Sequence, residues 1–432
     1  MLREEEPTSP VLGIIVGGGP APGLNSVIAA AVTYACRLHW TVIGFHDGYK
    51  HLSSANEQAI KDNSVNLTME LVASYQSLGG SLLRCDRMDP TKDPKHVSNV
   101  IRMLSHFKVR YLLAIGGNDK IMTSHILTQG VDPKEMQIIA VPKTIDNDIQ
   151  LPVGQTTFGY HTARYFGTKL VRNLINDSSS APRWFVIETM GRCTGHLAMS
   201  IGEASGAHCV IIPEDFGERK ISLDDICDVF ESAILKRNAI GKPYGVCIIS
   251  EGLVNQMDDE SVKHLYANGF LSLNEHGKII LDDAELSRAI RNEMEKRLSL
   301  KKIPIRVNPK KIGYELRCAT PVAFDEKYSC ELGYGAIEGF RQRHSNCIVI
   351  WENGKIFYRS FRSLMDPITG KIAARKVDVT AQSYKVLREY TWQLKKEDLV
   401  EPKLSMIAKA SNMSPEEFVA KYSRVLELLP AL

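Results

Sequence analysis

No apolar run in this 432-residue chain approaches the ~20 residues needed to cross a bilayer, so a membrane partner is not expected. Residues 1–10 are acidic and polar and hold no apolar signal core, which points to a cytoplasmic location. No basic stripe is present: 53 lysines and arginines stand against 50 acids for a net charge of +3, so nucleic acid is not an expected partner either. The nine cysteines form no Cys-x-x-Cys pair and their number is odd, which argues against zinc ligation and a closed disulfide framework. Cys36, Cys209, Cys247 and Cys347 lie in apolar surroundings and read as reduced, buried thiols. Internal repeats and low-complexity segments are absent as well.

What remains is an ordinary globular composition, 44% hydrophobic, on a chain long enough for two lobes or one enlarged α/β unit. Short apolar runs alternate with helical stretches. Residues 11–16, 109–115, 136–141, 184–187, 209–212 and 246–249 read as buried strands. A helix follows the first, with Val27, Ala31, Tyr34 and Ala35 at helical spacing. Apolar strands alternating with helices predict parallel sheets covered on both faces, with ligands at the carboxyl ends of the strands. Residues 253–302 are charged and read as an insertion, with an amphipathic surface helix over 282–300. Residues 348–358 suggest a β-hairpin turning at Asn353-Gly354. Ser414, Pro415 and Glu417 mark the start of a helix.

Three polar loops follow three of the expected strands. In the first, Gly17, Gly18 and Gly19 lead through Pro20-Ala21-Pro22-Gly23 into a helix, a setting in which backbone N–H groups approach an anion. The spacing matches neither a P-loop nor the dinucleotide fingerprint, and a plain tight turn explains it equally well. The second, Gly116-Gly117-Asn118-Asp119, suits a metal–phosphate group or a simple turn. The third packs Lys143, Thr144, Ile145, Asp146, Asn147 and Asp148 behind Pro142. Lys143 offers a charge for phosphate, and Asp146 or Asp148 can take a proton from an attacking hydroxyl. Farther along, Met190-Gly191-Arg192, Glu251-Gly252 and Gly313-Tyr314-Glu315-Leu316-Arg317 supply two arginines able to clamp a sugar phosphate and a carboxylate for sugar hydroxyls.

In this order, the motifs from about Leu12 to Arg317 resemble the phosphofructokinases, the Thr144–Asp148 segment most specifically. The resemblance implies an α/β fold of two Rossmann-like lobes with largely parallel sheets and a helical C-terminal extension. The implied boundaries are a flexible 1–10, a catalytic unit over 11–380 and the extension over 381–432. Within the catalytic unit, a donor lobe covers about 11–150 and a sugar lobe runs from about 151. The resemblance also implies Asp146 as the base on the 1-hydroxyl of fructose 6-phosphate, Mg²⁺ as cofactor, and a place in glycolysis. Thr144, Ile145, Asp148, Met190, Gly191, Arg192, Glu251, Tyr314 and Arg317 would surround the sugar. Arg183 and Arg306 would reach the 6-phosphate of a neighbouring subunit in a homodimer or homotetramer, while Gly18, Gly19 and Arg87 would meet the phosphoryl donor. Asp119 with Lys143 is the pyrophosphate pattern, because a carboxylate at 119 repels the α-phosphate of ATP and a lysine at 143 neutralises a small donor.

The pattern departs at two places. Asn118 stands where the family usually has an aspartate that helps hold magnesium, and Lys120 replaces a small hydroxyl residue beside it. Pyrophosphate-dependent transfer is therefore the leading reading. ATP-dependent transfer and a catalytically weak regulatory subunit that binds sugar phosphate both stay open.

Overall fold

The computed structural model describes residues 9–274 and 277–430; most of the segment expected to be flexible, residues 1–8 of 1–10, lies outside them. In chain order the strands are β1 (Val11–Val16), β2 (Thr41–Phe45), β3 (Ser64–Asn66), β4 (Val109–Gly116), β5 (Gln137–Pro142), β6 (Trp184–Thr189), β7 (Cys209–Ile211), β8 (Gly245–Ser250), β9 (Ser272–Leu273), β10 (Ile279–Ile280), β11 (Val307–Ile312), β12 (Cys347–Glu352) and β13 (Lys355–Ser360). All six runs read as strands are strands, within two residues at each end.

The chain folds as two units. The first holds residues 1–163 and 314–375, the second residues 164–313 and 376–432. The first unit thus takes back a segment from beyond residue 313, which a linear division near residue 150 does not contain. Its sheet has seven strands in the order β13-β12-β5-β4-β1-β2-β3. The five strands from β12 to β2 run parallel, and β13 and β3 pair antiparallel at the two edges. The parallel strands are apolar on both faces, as Leu12, Ile14, Leu112, Leu113, Ile138 and Ile139 are wholly buried. The β12–β13 turn has Asn353 at φ 48° and Gly354 at φ 78°, the left-handed pair that a two-residue hairpin needs.

The second unit has a four-stranded, all-parallel sheet in the order β11-β6-β8-β7. The edge strand β11 went unread in the sequence because Pro309, Lys310 and Lys311 interrupt it. An edge strand tolerates proline, because one of its sides has no ladder to donate to. Within the charged insertion, the helix begins at Leu286, four residues later than its pattern suggests, because Leu281–Asp283 forms a tight 3-10 turn first. It is the amphipathic surface helix expected, with Arg288, Asn292, Glu295 and Lys296 exposed on its outer face. Leu286, Ile290, Met294 and Leu298 are buried in the core, and Arg297 is locked to Asp228 at 2.6 Å and Glu231 at 3.2 Å. All nine cysteines are free thiols; Cys209, Cys247 and Cys347 are buried, and Cys36 is partly so. No helix among the described residues is long and apolar enough to cross a membrane.

The C-terminal extension holds the helices Gln382–Tyr390, Lys403–Ala410, Pro415–Tyr422 and Val425–Leu428, which join the core of the second unit. Ser414 caps the helix Pro415–Tyr422, and Phe418 and Tyr422 sit fully buried among Ile407, Val425 and the residues of β7 and β8. Truncating a buried aromatic leaves a cavity, so Phe418→Ala should destabilise the protein by about 3–5 kcal/mol. A lowered unfolding temperature would show it. An unchanged one would mean that this segment lies outside the cooperative core.

Candidate functional site

In the first unit the three polar loops leave β1, β4 and β5, which are neighbours in the sheet, so they emerge side by side at its carboxyl edge. Two of them run directly into helices, Leu24–Arg37 and Asn118–Gln129, whose N-caps are Gly23 and Gly117. Neither helix has a side-chain cap; Leu24 N–H donates to the Ala21 carbonyl at 3.2 Å and Lys120 N–H to the Gly117 carbonyl at 2.9 Å, which leaves the N–H groups of Asn118 and Asp119 at the start of the second helix nearest the loop.

The glycine loop is held on both faces. Gly17 N–H donates to the Ile115 carbonyl of β4, and Gly18 N–H donates to the Asp86 carbonyl, each at 3.0 Å. The second bond places the loop beside the segment that carries the exposed Arg87. Gly18 has φ 81°, where a side chain would be strained. On one face, Lys143 donates from Nζ to the Gly19 carbonyl. A methyl group at Gly18 would lie 3.3 Å from that Nζ, and one at Gly19 would lie 3.3 Å from the guanidinium carbon of Arg317. Arg317 lies 5.2 Å from the ring centre of Tyr314. On the other face lies the stem of Lys120. Its carbons occupy the space that Cβ atoms at Gly17 and Gly116 would need, with approaches of 2.6 and 2.4 Å. Its ammonium donates to the Met88 carbonyl and sits 5.6 Å from the centre of the Tyr49 ring.

Both lysines are buried. Burial lowers the Lys143 pKa to about 8, with Cys85 and Asp146 opposing and Arg317 and Lys120 adding to the shift. Burial also lowers the pKa of Lys120, against the pull of Asp89, Asp119 and Asp86. The positive charge of Lys120 is therefore spent on Met88 and these acids beneath the loop.

The third loop carries the carboxylates. Asp146 N–H donates to Thr144 Oγ1 at 3.0 Å, and the Thr144 carbonyl accepts from Thr157 Oγ1 at 2.6 Å. Asn118 Nδ2 donates to Asp148 Oδ2 at 3.2 Å. Burial raises the Asp148 pKa, and the charge of Asp146 raises it further. Ile145 is buried and anchors the loop, while Asp119 is exposed on the first turn of its helix.

The second unit gathers a different set. Met190, Gly191 and Arg192 follow β6, and Glu251 follows its neighbour β8. Gly191 N–H donates to Glu251 Oε1 at 3.3 Å, and Asn255 Nδ2 donates to the Arg192 carbonyl at 2.7 Å. Arg192 is exposed and Glu251 is buried. Arg183 and Arg306 are not with them. They precede β6 and β11, which pair from Trp184↔Val307, so these arginines stand together at the amino edge of the same sheet. A six-residue strand puts about 20 Å between the two edges.

A family model for phosphofructokinase matches residues 11–340. The chain is 36% identical to a pyrophosphate--fructose 6-phosphate 1-phosphotransferase of Naegleria fowleri, over 97% of this chain and 96% of that one. It is 38% identical to the protein of the same name from Thermotoga maritima, over 96% of this chain and 99% of that one. Its fold matches a phosphofructokinase of Saccharomyces cerevisiae with a TM-score of 0.64 at 18% identity, covering 97% of this chain and half (50%) of the yeast chain. The chain belongs to the phosphofructokinase family.

Phosphofructokinases of this pattern call for a divalent cation, and the donor set in the first unit fits one. The Oδ1 atom of Asn118 is buried and has no hydrogen-bond partner, and the Asp148 carboxylate is bonded to the same side chain. Magnesium takes one or two protein oxygens and completes its shell with water and phosphate, so this set is sufficient. Among the described residues no group of three His, Cys, Asp or Glu side chains is placed to hold an ion alone.

Two supports of the candidate site were not legible in the sequence. One is the stem of Lys120, read only as a departure beside the metal position. The other is Arg375, which donates to the carbonyls of Asn147 at 3.0 Å and Gln155 at 2.8 Å and to Asn147 Oδ1, while its own N–H reaches the Asp148 carbonyl at 2.8 Å. It pins the carboxylate loop from both ends. Displacing reacting groups by about 1 Å costs on the order of 10²-fold, so Arg375→Ala should lower turnover by about that factor. Normal turnover in that variant would show that the loop holds its shape unaided.

The Lys143 shift sets a pH dependence. A lowered lysine pKa means that the charged form is complete below pH 8 and is lost above it. We expect kcat/KM for the phosphoryl donor to fall as pH rises through about 8. Lys143→Arg should abolish that falling limb, because a guanidinium stays charged. The same limb in Lys143→Arg would assign it to another group.

Proposed function

We propose that this protein transfers a phosphoryl group, reversibly, from pyrophosphate to the 1-hydroxyl of fructose 6-phosphate, giving fructose 1,6-bisphosphate and phosphate, as a glycolytic step in the cytoplasm. The observation that carries this reading is the buried Lys143 ammonium on the Gly19 carbonyl, at a glycine loop beside the first turn of the helix Asn118–Gln129. A small, highly charged donor suits both. The names of the relatives at 36% and 38% identity agree with it.

In the mechanism, Asp146 accepts the proton of the sugar 1-hydroxyl as its oxygen bonds to the terminal phosphorus. The bridging P–O bond breaks and phosphate leaves. Lys143, Arg317 and the N–H groups of the glycine loop bind the donor and meet the charge that develops on it. Arg87 adds a further donor contact. Asn118 and Asp148 would hold Mg²⁺, which supplies charge neutralisation at the phosphates. Asp119 stands exposed beside this site and disfavours a longer, more negative donor such as ATP. In the first unit we assign Thr144, Asp148, Tyr314 and Arg317 to the sugar phosphate; in the second, Met190, Gly191, Arg192 and Glu251 form a set of their own suited to the same class of ligand. Arg183 and Arg306 face away from Arg192 and Glu251, at the other edge of their sheet. That supports their assignment to the sugar 6-phosphate of a second copy, in a homodimer or homotetramer with shared sites.

One assay tests the reading: purified protein, Mg²⁺ and fructose 6-phosphate, with pyrophosphate or ATP as donor. Pyrophosphate should be preferred, Asp119→Gly should raise the ratio of ATP to pyrophosphate use, and Asp146→Ala should lower turnover by about 10²–10⁴-fold. A parent protein that prefers ATP overturns the donor. No transfer with either donor, with sugar phosphate still bound in calorimetry, overturns the enzyme in favour of a regulatory subunit.

A further inference from the structure

Lys120 carries a charge that its packing does not require. Its stem fills the space beside Gly17 and Gly116, and an uncharged stem would do the same. The residue is only 4% exposed, and burying an ammonium is costly. A methionine is unbranched, adaptable in shape and free of that cost. What the ammonium adds is its hydrogen bond to the Met88 carbonyl, with the Tyr49 ring centre 5.6 Å away.

Met88 follows Arg87, the exposed residue assigned to the phosphoryl donor. From Ser81 to Asp89 the chain forms no helix or strand, and its ladder contact is the isolated bridge between Gly17 and Asp86. Arg87 therefore depends on ties made by its neighbours. On one side the Asp86 carbonyl accepts from Gly18 N–H at 3.0 Å. On the other side Met88 N–H donates to Asp86 Oδ1 at 2.6 Å, and the Met88 carbonyl accepts from Lys120. Thr123, one turn along the same helix as Lys120, adds a bond from Oγ1 to Asp89 Oδ1 at 3.4 Å. The glycine loop thus holds the backbone before Arg87, and the helix Asn118–Gln129 holds the backbone after it.

The Lys120 stem fixes where its ammonium can go. It runs past the ends of β4 and β1, where Cβ atoms at Gly116 and Gly17 would approach it to 2.4 and 2.6 Å. The tie on Met88 is therefore set by the same two strand ends that set the glycine loop and the Asn118 turn.

We propose that Lys120 is the positioning residue for Arg87: by holding the Met88 carbonyl it aims the Arg87 guanidinium at the phosphoryl donor. This rests on the assignment of Arg87 to the donor. Lys120 acts through Arg87 and not on the sugar, so its loss is felt in donor binding.

Steady-state kinetics on the full chain, with the donor that the parent prefers, test it in a double-mutant cycle. Lys120→Met keeps the stem and removes the charge; it should raise KM for the donor about tenfold and leave kcat and KM for fructose 6-phosphate within about twofold. Arg87→Ala should raise the donor KM as well. The double variant should be no worse than the poorer single variant, because both changes remove one contact. Lys120→Arg keeps charged N–H donors and should stay within about threefold of the parent. Gly116→Ala offers a second route, because the added Cβ displaces the Lys120 stem; it should raise the donor KM with the same coupling to Arg87, and it carries the test if Lys120→Met does not fold. Effects of Lys120→Met and Arg87→Ala that multiply in full would overturn the proposal. So would a donor KM that Lys120→Met leaves unchanged while Arg87→Ala raises it, which would reduce Lys120 to packing. An unchanged donor KM in Arg87→Ala would overturn the donor assignment of Arg87, and the proposal with it.

Discussion

Two buried ammonium groups hold one glycine loop from opposite faces, and the donor chemistry depends on the difference between them. Burying a lysine is costly unless its charge is met. Lys120 is met by the Met88 carbonyl and the negative field of Asp86, Asp89 and Asp119. Lys143 has one carbonyl; burial lowers its pKa, Arg317 and Lys120 add to the shift, and Cys85 and Asp146 offset only part of it. The first is a finished interaction and gives the loop its shape. The second is less completely met, which is why we assign Lys143, and not Lys120, to the phosphoryl donor.

The glycines read differently in this light. Gly18 is glycine for its backbone angle, whereas Gly17 and Gly116 are glycine because the Lys120 stem fills the space of their side chains. The sequence departure at Lys120 and the run of glycines are one feature. Gly116 and Lys120 are near in the chain, but Gly17 follows β1 about a hundred residues earlier, so no local pattern marks its tie to Lys120. The same holds for Arg375, which follows the carboxylate loop by 228 residues and is tied to it only through the fold. The motif loops were legible because each is contiguous and follows an apolar run. Their supports were not, because each contact is long-range.

Secondary structure followed the same division. Buried parallel strands announce themselves by continuous apolar runs, and six were read in this way. The edge strand β11 carries proline and two lysines and pairs on one side only, so its sequence had no such run to show. The insertion helix is amphipathic as its pattern indicates, but part of its charge does not face water: Arg297, Glu293 and the following Lys301 are spent on Asp228, Glu231 and one another beside its buried face. Charge in a sequence reports what a residue carries, and only the fold reports whether that charge meets water or a partner.

Asn118 shows where that distinction matters most. A carboxylate at this position would place a third negative charge beside Asp146 and Asp148, in a site where burial already works against ionising Asp148. The amide avoids that repulsion. Its Nδ2 donates to Asp148 and keeps one carboxylate oxygen oriented, while its Oδ1 stays buried and uncommitted. A carboxylate has no proton to donate to Asp148, so it would meet that oxygen with repulsion where the amide meets it with a hydrogen bond. The weaker ligand is therefore consistent with a working site, because Asp148 is held in place by the same side chain that leaves an oxygen for the cation.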